Sequence, residues 1–371
     1  MPKRAAPTLP PRPSAALRIA ALGLPPDAAV PRSLREDADT HAMRGSGIDA
    51  DPQDFTEFAE SEYLNLATPK KRTLVIIGVG WSLANVALSP VPPGVAEFSL
   101  ADVGAYLAAF TGLAVRVVPE ELPVVNWGGS DKLSQVGKGT SLPRFVGIKT
   151  SKSVVQVRVR KSPDGEYRMA LNVSDVLDAL LEELPSDAYS IIGLTPFDIH
   201  EDGAILGGRA YGGSRIACIS TARYHPVFDD VSLDWPMGEK KQVGGPALAK
   251  ARAAATALLG TAPSPTALWF SRVAATVAHE VGHCMGLDHC QYYACFMGEN
   301  EGQPMYACPV CLRKMLWTAG VKGVEELDAA ACARYEAVAL FAREPPCKDV
   351  KHFAALDAWC SVRAMQIKAD L

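Results

Sequence analysis

The first regular elements appear in the pattern of apolar residues as a strand–helix–strand unit. TLVIIGVG, residues 73–80, is a short apolar, β-branched run ending in glycine, which is typical of a buried strand. Ser99, with Asp102 three residues later, predicts the start of a helix, and Gly112 predicts its end. AVRVVPE, residues 114–120, indicates a second strand. Such a unit favours two parallel strands joined by a right-handed connection.

The alternation of strands and helices continues to residue 221. Residues 126–143 are polar and glycine-rich, and we interpret them as a loop or an insertion. Five further elements are predicted: a half-exposed strand over Val154–Arg160, a helix from Ser174 to the residue before Pro185, a buried strand over Tyr189–Thr195, and a pair of strands within 203–213 and 214–221. The glycines of Gly203–Gly213 indicate a sheet edge where another backbone comes close.

From Pro246 onward the pattern is helical. Residues 246–260 form an alanine-rich run that ends at glycine. Ser264 as N-cap, with Pro265 at the first helical position, predicts a helix over 265–286. Two more helices are predicted near the end of the chain, at 324–343 and 348–368. The expected fold class is therefore α/β, tending to α+β, with a helical C-terminal part.

The helix predicted over 265–286 leads into TVAHEVGHCMGLDHC, which holds three of the seven histidines. His279 and His283 are one turn apart, about 40° from each other around the helix, and Glu280 flanks the same face. The opposite face carries apolar residues that anchor the helix: Val273, Val277 and Val281. Two imidazoles at positions i and i+4 suit one zinc ion.

A third ligand requires the chain to turn back after this helix. Gly286 is free to adopt a positive φ and end the helix, so that His289 meets the same ion. HExxH alone arises by chance, but HExxHxxGxxH on an amphipathic helix predicts a catalytic zinc with one open position. We expect the remaining histidines to be surface or structural residues: His41, His200, His225 and His352.

The cysteines after the histidines predict a second metal site. Cys290 and Cys295 form C-x4-C, and Cys308 and Cys311 form C-x2-C, which together suit a closed tetrahedral structural zinc. A redox CxxC is the first alternative, but it leaves Cys290 and Cys295 without a role. Disulfides are the second alternative. We expect the other cysteines to be ordinary buried or incidental thiols: Cys218, Cys284, Cys332, Cys347 and Cys360.

Composition and net charge indicate which partners and which cellular location to expect. The chain has 371 residues, 48% of them hydrophobic, and a net charge of −4, so a sizeable core is expected and neither nucleic acid nor membrane is an expected partner. The N-terminus is proline-rich, and no signal peptide or apolar run of about 20 residues is recognised. We therefore expect a cytoplasmic protein with reduced cysteines. The basic run Lys70–Arg72 is typical of a solvated linker, and a short nuclear localisation signal is the alternative.

The two motifs together resemble one family, the archaemetzincins, which are metzincin-clan zinc proteases. The residues that carry the resemblance are His279, Glu280, His283, Gly286 and His289, followed by Cys290, Cys295, Met297, Cys308 and Cys311. The interval of ten residues between Met297 and Cys308 is shorter than in the family pattern. The resemblance implies a compact metzincin-like fold, in which a twisted mixed sheet with a backing helix lies above the active-site helix. It also implies that Met297 lies beneath the zinc; from its residue type alone, Met297 is a core methionine.

These observations lead to one domain division and one function. Residues 1–70 are expected to be a Pro-rich, largely flexible arm, 71–289 a catalytic subdomain, and 290–371 a C-terminal subdomain with the four-cysteine zinc. We predict a zinc-dependent peptidase with two Zn²⁺ that acts on peptide or protein substrates, in which Glu280 accepts a proton from water. The resemblance to metzincins implies an extended peptide at an edge strand, for which Gly203–Gly213 is the candidate, and a plain surface loop is the alternative interpretation of that segment.

Two other functions remain as alternatives. A zinc-stabilised peptide-binding protein with weak or vestigial hydrolysis is the main one. A nucleic-acid-binding zinc finger is disfavoured, because Arg313 and Lys314 are the only basic pair beside the last two cysteines. The physiological substrate, the choice between internal and terminal cleavage, and the oligomeric state do not follow from the sequence.

Overall fold

The structure is a computed structural model, and it describes residues 14–25, 28–35, 52–83, 98–128, 133, 142–162, 167–226, 246–258, 261, 263–298, 304–345 and 347–369. Its α-helices are α1 (Ala15–Ala20), α2 (Phe55–Glu60), α3 (Leu100–Thr111), α4 (Val173–Glu183), α5 (Pro246–Ala257), α6 (Pro265–Cys284), α7 (Pro309–Thr318), α8 (Leu327–Arg343) and α9 (Lys351–Lys368). Its β-strands are β1 (Thr73–Gly78), β2 (Ala114–Val117), β3 (Val124–Asn126), β4 (Phe145–Lys149), β5 (Val154–Arg160), β6 (Ala170–Asn172), β7 (Ala188–Thr195), β8 (Asp198–Glu201), β9 (Ala204–Leu206), β10 (Gly208–Tyr211) and β11 (Ile216–Ser220).

One sheet contains most of the strands predicted from apolar runs, in the order β10-β11-β7-β1-β2. β1 pairs in parallel with both β2 and β7, β7 pairs in parallel with β11, and β10 is antiparallel at the edge. The predicted parallel pair around α3 is therefore confirmed. Its helix signals are confirmed as well, because Ser99 and Asp102 form a capping box and Gly112 ends α3 with φ of 71°.

The central strand β1 is buried on both faces. Leu74 and Ile76 belong to one hydrophobic core, and Val75 and Ile77 belong to another. Successive residues of a strand point to opposite faces, so a strand between two cores is apolar at every position. This is the physical reason for the continuous apolar run in the sequence.

A second sheet, in the order β3-β4-β5-β6-β8-β9, covers the other side of the second core. The predicted strand Val154–Arg160 is β5, and it is half exposed as expected: Val157 is buried, whereas the Val154 side chain lies in solvent. α4 lies between the two sheets and fills the space with Val176 and Leu180. The sequence did not predict this sheet, although it predicted β5 and α4 individually.

The chain after Pro246 is helical, as predicted. The expected helices correspond to α5, α6, α8 and α9. Ser264 does precede α6, but its side chain makes no capping hydrogen bond. α7 was not predicted; it begins at Pro309, inside the CPVC motif, with Cys308 as its N-cap. None of the described helices has both the length and the apolar character needed to cross a bilayer.

Part of the predicted N-terminal arm is packed. Phe55 and Phe58 of α2 are buried, and the Phe55 ring contacts the Trp317 ring edge-on at 5.3 Å. The predicted division into an arm and two subdomains stays a prediction. His41 and most of the predicted loop 126–143 lie outside the described residues.

Candidate metal centre

Helix α6 places two of the predicted histidines under the edge of the first sheet. Its buried side is anchored by Val273, Val277 and Val281, all inaccessible to solvent. The helix then ends in a turn at Gly286, whose φ is +88°. Gly286 N–H donates to the His283 carbonyl at 2.9 Å, and Leu287 N–H donates to the Gly282 carbonyl at 3.0 Å. The glycine thus turns the chain back as the sequence predicted.

The three histidines of the motif converge after this turn. His279, His283 and His289 each offer a ring nitrogen within 4.8 Å of the others. The Nε2 atoms of His279 and His283 are 3.1 Å apart. Two ligands that share a tetrahedral zinc at about 2.0–2.1 Å lie about 3.3 Å from each other, so this spacing fits the ion.

Backbone carbonyls orient the first two rings. His279 Nδ1 lies 2.9 Å from the Phe296 carbonyl, and His283 Nδ1 lies 2.7 Å from the Leu287 carbonyl. A carbonyl only accepts, so each Nδ1 carries the proton and each Nε2 presents its lone pair. Burial lowers the pKa of His279 to about 3 and that of His283 to about 4, and the neighbouring imidazoles add to the shift. Neutral imidazoles of this kind are zinc ligands.

Glu280 lies beside the histidines in a buried position. Its side chain is 6% exposed, and burial raises the pKa of its carboxyl to about 8, although the nearby Arg209 guanidinium opposes the shift. Edge strand β10 comes very close here: a Cβ at Gly208 would lie 2.6 Å from Glu280 Oε1. A Cβ at Gly212 would collide with the His283 carbonyl oxygen. The predicted glycine-rich edge is therefore confirmed, and the backbone it approaches is that of α6.

Met297 packs against the same helix segment at Gly282. It is fully buried, and a Cβ at Gly282 would collide with the Met297 sulfur. Cys290 N–H donates to the Met297 carbonyl at 2.8 Å, so the methionine is tied to the residue that follows His289. The structure places Met297 against α6, next to His283.

The four cysteines of the second motif form a separate buried group. Their sulfur atoms lie within 4.8 Å of one another, and Cys290 Sγ is 3.6 Å from Cys308 Sγ. Zn–S bonds of about 2.3 Å place two tetrahedral ligands about 3.8 Å apart, which fits this spacing. Cys308 Sγ also accepts from the Cys311 N–H at 3.4 Å, where α7 begins. Hydrogen bonds from the other three thiols lower the pKa of the Cys290 thiol.

These are the two converging sets of metal-ligating side chains in the described ranges. His200 and His225 are buried outside both sets, and His352 is half-buried. All nine cysteines are free thiols, and those outside the tetrad are buried as expected.

Two further residues of the site carried no signal in the sequence. Arg209 lies on β10 and pairs with Glu201 at 3.2 Å. Gln53 lies in the predicted arm and contacts the turn at Gly286, 233 residues away in the chain. Contacts between residues so far apart leave no local pattern.

Known proteins share the motif region and much of the chain. The model of peptidase family M54 matches residues 259–314. Archaemetzincin-2 of Pongo abelii is 27% identical over 289 residues, which cover 75% of this chain and 68% of the relative. Archaemetzincin-2 of Homo sapiens is 26% identical over the same shares of both chains. Archaemetzincin-1 of Homo sapiens is 26% identical over 200 residues, covering 49% of this chain and 38% of the relative.

Two solved structures resemble this one at low identity. The archaemetzincin of Methanopyrus kandleri has 15% identity and a TM-score of 0.37, and the match covers 68% of this chain and 97% of that chain. A zinc-dependent peptidase of Methanocorpusculum labreanum has 18% identity and a TM-score of 0.36, covering 65% and 99%.

The sequence comparisons agree with the resemblance inferred from the two motifs. They do not favour the alternative of a zinc-stabilised binding protein, because the matching family is a family of peptidases. The chain is therefore similar to the archaemetzincins of peptidase family M54, and the comparisons support a zinc metallopeptidase.

Proposed function

We propose that the chain cleaves extended peptides that lie along β10, with Glu280 as the residue that accepts and returns a proton. The observation that carries the proposal is the position of the carboxyl. It is buried between three convergent imidazoles and the free edge of a sheet. A carboxyl in that position would lie beside both a metal ion held by the imidazoles and the backbone of a peptide paired with the edge.

His279, His283 and His289 would hold the catalytic zinc. Bound there, the ion supplies Lewis-acid chemistry: it polarises a carbonyl group and shifts the pKa of water from about 15.7 towards about 7. The donor set supports this assignment, because three neutral nitrogens leave one coordination position for water or substrate. Met297, packed beneath the same turn of α6, would keep the base of the site apolar.

Glu280 would act as the general base. Burial raises the pKa of its carboxyl to about 8, close to the range in which a group both accepts and returns protons effectively. We infer that the carboxylate takes a proton from the attacking water and delivers it to the leaving amine. Gly208 makes this possible sterically, since any side chain there would occupy the space of the carboxyl.

β10 would bind the substrate by main-chain hydrogen bonds. It is antiparallel to β11 and is the outermost strand of its sheet in the described chain. A peptide added to such an edge gains backbone hydrogen bonds that do not depend on its sequence. Arg209 and Tyr211 point to the face of β10 opposite Gly208, so they are the side chains that neighbour a bound peptide on that face.

Cys290, Cys295, Cys308 and Cys311 would hold a second, structural zinc. All four are buried, and a closed four-thiolate site offers no position for water. The proposed content is therefore two zinc ions per chain, one in each set of ligands.

Replacing Glu280 by glutamine tests the proposal. The amide has nearly the same shape and cannot act as a base, so Glu280→Gln should lose at least about 10²-fold in peptide hydrolysis. Zinc content, measured by elemental analysis, should stay at the wild-type value because no ligand is removed. Hydrolysis at the wild-type rate by a zinc-replete Glu280→Gln protein would remove the glutamate from this role.

A further inference from the structure

The segment formed by residues 52–67, here called the N-terminal strap, lies across the turn that carries His289. Phe58 and Leu64 of the strap pack on Gly286, the glycine of that turn. A Cβ at Gly286 would lie 3.1 Å from Leu64 Cδ1 and 3.3 Å from Phe58 Cε2. The tight turn is therefore covered by a part of the chain that precedes every strand of the sheets.

One side chain of the strap makes polar contacts to both sides of the turn. Gln53 Nε2 donates to the Gly286 carbonyl at 3.2 Å, and the Asp288 N–H donates to Gln53 Oε1 at 3.2 Å. The next residue is His289. A primary amide is the side-chain group that donates to a carbonyl and accepts from an N–H at the same time, so glutamine matches this pair of backbone groups.

Lys314 holds the same amide from the other direction. Its Nζ donates to Gln53 Oε1 and to the Gln53 backbone carbonyl, each at 2.7 Å. Lys314 belongs to α7, whose N-cap is Cys308, and it is 3% exposed. The Tyr292 hydroxyl donates to the Pro52 carbonyl at 2.9 Å. The start of the strap is thus held by Tyr292, which lies between Cys290 and Cys295, and by Lys314, which follows Cys311.

The position of the His289 ring depends on the backbone of this turn, whereas the other two histidines are held by more contacts. His279 and His283 are fixed by the α6 backbone and by the carbonyls at their Nδ1 atoms. His289 lies outside the helix and is exposed. Among the residues that the structure describes, no group forms a hydrogen bond with its ring. The position of the His289 ring is therefore set by the backbone that Gln53 holds.

We propose that the N-terminal strap is part of the metal centre and that Gln53 is a positioning residue for His289. This inference rests on the proposed role of His279, His283 and His289 as ligands of one ion. Gln53 fixes the backbone from Gly286 to Asp288, and this keeps the third imidazole within reach of the other two. Outer residues of this kind typically change metal affinity by about 10–100-fold when they are lost.

The test is metal binding by the full chain, read with cobalt(II) in place of zinc. Cobalt bound by four thiolates has intense sulfur-to-metal absorption, whereas cobalt bound by histidines does not, so the two sites are followed separately. Gln53→Leu keeps the approximate volume and removes every side-chain hydrogen bond. We expect it to weaken cobalt binding at the histidine site by about 10–100-fold, with binding at the cysteine site unchanged.

Gln366→Leu is the matched control. It makes the same chemical change and removes a hydrogen bond of 2.9 Å from Arg363 in α9, at a site that contacts neither metal group. Its histidine-site affinity should equal that of the wild type. Equal affinities in Gln53→Leu and Gln366→Leu would overturn the positioning role.

Gln53→Glu serves if the leucine variant does not fold. The carboxylate still accepts from Asp288 N–H and Lys314, but it no longer donates to the Gly286 carbonyl. We expect a folded protein with weaker cobalt binding at the histidine site, and wild-type affinity would count against the role of the amide donor. The proposed function fails differently: it fails if the wild-type chain shows no histidine-bound cobalt at all, in which case the strap has no ligand to position.

Discussion

At the scale of single residues, the site depends on positions where a side chain is absent. Gly208 lets β10 pass over Glu280, and Gly212 lets the same segment approach the His283 carbonyl. Gly286, at φ of +88°, supplies the turn towards His289. The proposed chemistry is thus assigned to histidines and a glutamate, while glycines determine how closely the elements that carry them approach each other.

Adding one methyl group at Gly208 should disturb the carboxyl without removing any ligand. The Cβ of Gly208→Ala would lie 2.6 Å from Glu280 Oε1 and 2.7 Å from Glu280 Cγ, so one of the two must move. A displacement of about 1 Å in a reacting group costs about 10²-fold in rate. We expect that loss in kcat for peptide hydrolysis, with unchanged zinc content.

Gly213→Ala is the control for this prediction. Its Cβ would meet Tyr63 atoms at 3.7 and 3.9 Å, which are ordinary contacts. Its kcat should therefore stay near that of the wild type. If Gly208→Ala and Gly213→Ala have the same kcat, the close approach of β10 to Glu280 has no catalytic importance.

The sequence carried most of this residue-scale information. The motif HExxHxxGxxH indicates both the ligand types and the turn, because helix geometry explains the spacing of its histidines and the turn explains its glycine. Gln53 could not be found in this way. Its partners Gly286, Asp288 and Lys314 are all more than 230 residues away in the chain, and nothing in PQDF distinguishes that glutamine from a solvated one.

At the scale of elements, the strands that could be predicted are those with a long and continuous apolar pattern. β1 and β7 are continuous apolar runs because both of their faces are buried. β3, β6 and β9 are only three residues long, and their pairing depends on partners that are distant in the chain or on a preceding turn. The second sheet was missed for this reason, because three residues contain too little periodicity to indicate a strand.

Helix α7 was missed because its N-terminus lies within a metal motif. Cys308 caps the helix and accepts from the Cys311 N–H, so the same residues belong to a candidate metal site and to a helix start. Without the ion, the cluster would place four thiols or thiolates together in a buried space. We therefore expect the start of α7 to depend on the metal.

Removing one of these thiols should remove one metal ion and lower stability. Cys311→Ser should reduce zinc from two ions per chain to one, because serine is a poor zinc ligand and leaves a closed site incomplete. The thermal midpoint should fall by several degrees, because structural zinc contributes directly to folding free energy. Elemental analysis and thermal unfolding monitored by circular dichroism measure the two effects.

Cys332→Ser is the matched control, since Cys332 is buried in α8 but lies outside both ligand sets. It should retain the wild-type metal content. A zinc content of two in Cys311→Ser would show that the four cysteines do not form the second site.

At the scale of the whole molecule, the two metal groups differ in their access to solvent. His289 is exposed, whereas all four cysteines of the second group are buried. The N-terminal strap connects them, because Gln53 contacts both the His289 turn and Lys314 of α7. The domain division and the cytoplasmic location stay predictions.

This difference in solvent exposure predicts which site loses its metal first when a chelator is added. A soluble chelator should first remove the metal from the exposed histidine site, which stops hydrolysis while the chain remains folded. The buried cysteine site should lose its metal only at higher chelator concentration or longer times, together with a loss of helical circular dichroism. Simultaneous loss of hydrolysis and of helical signal, at one chelator concentration, would contradict the proposed division of roles.

The open side of β10 also affects how copies of the protein meet in solution. A free sheet edge is a template for pairing with the edge of another chain, and long, flat edges lead to aggregation. β10 is four residues long and carries the charged Arg209 in its interior. An edge strand of four residues offers a second folded protein few backbone hydrogen bonds. A flexible peptide, in contrast, extends beyond both ends of the strand. With the substrate bound along β10 as proposed, the length of this strand would favour loose, unfolded polypeptide over compact protein.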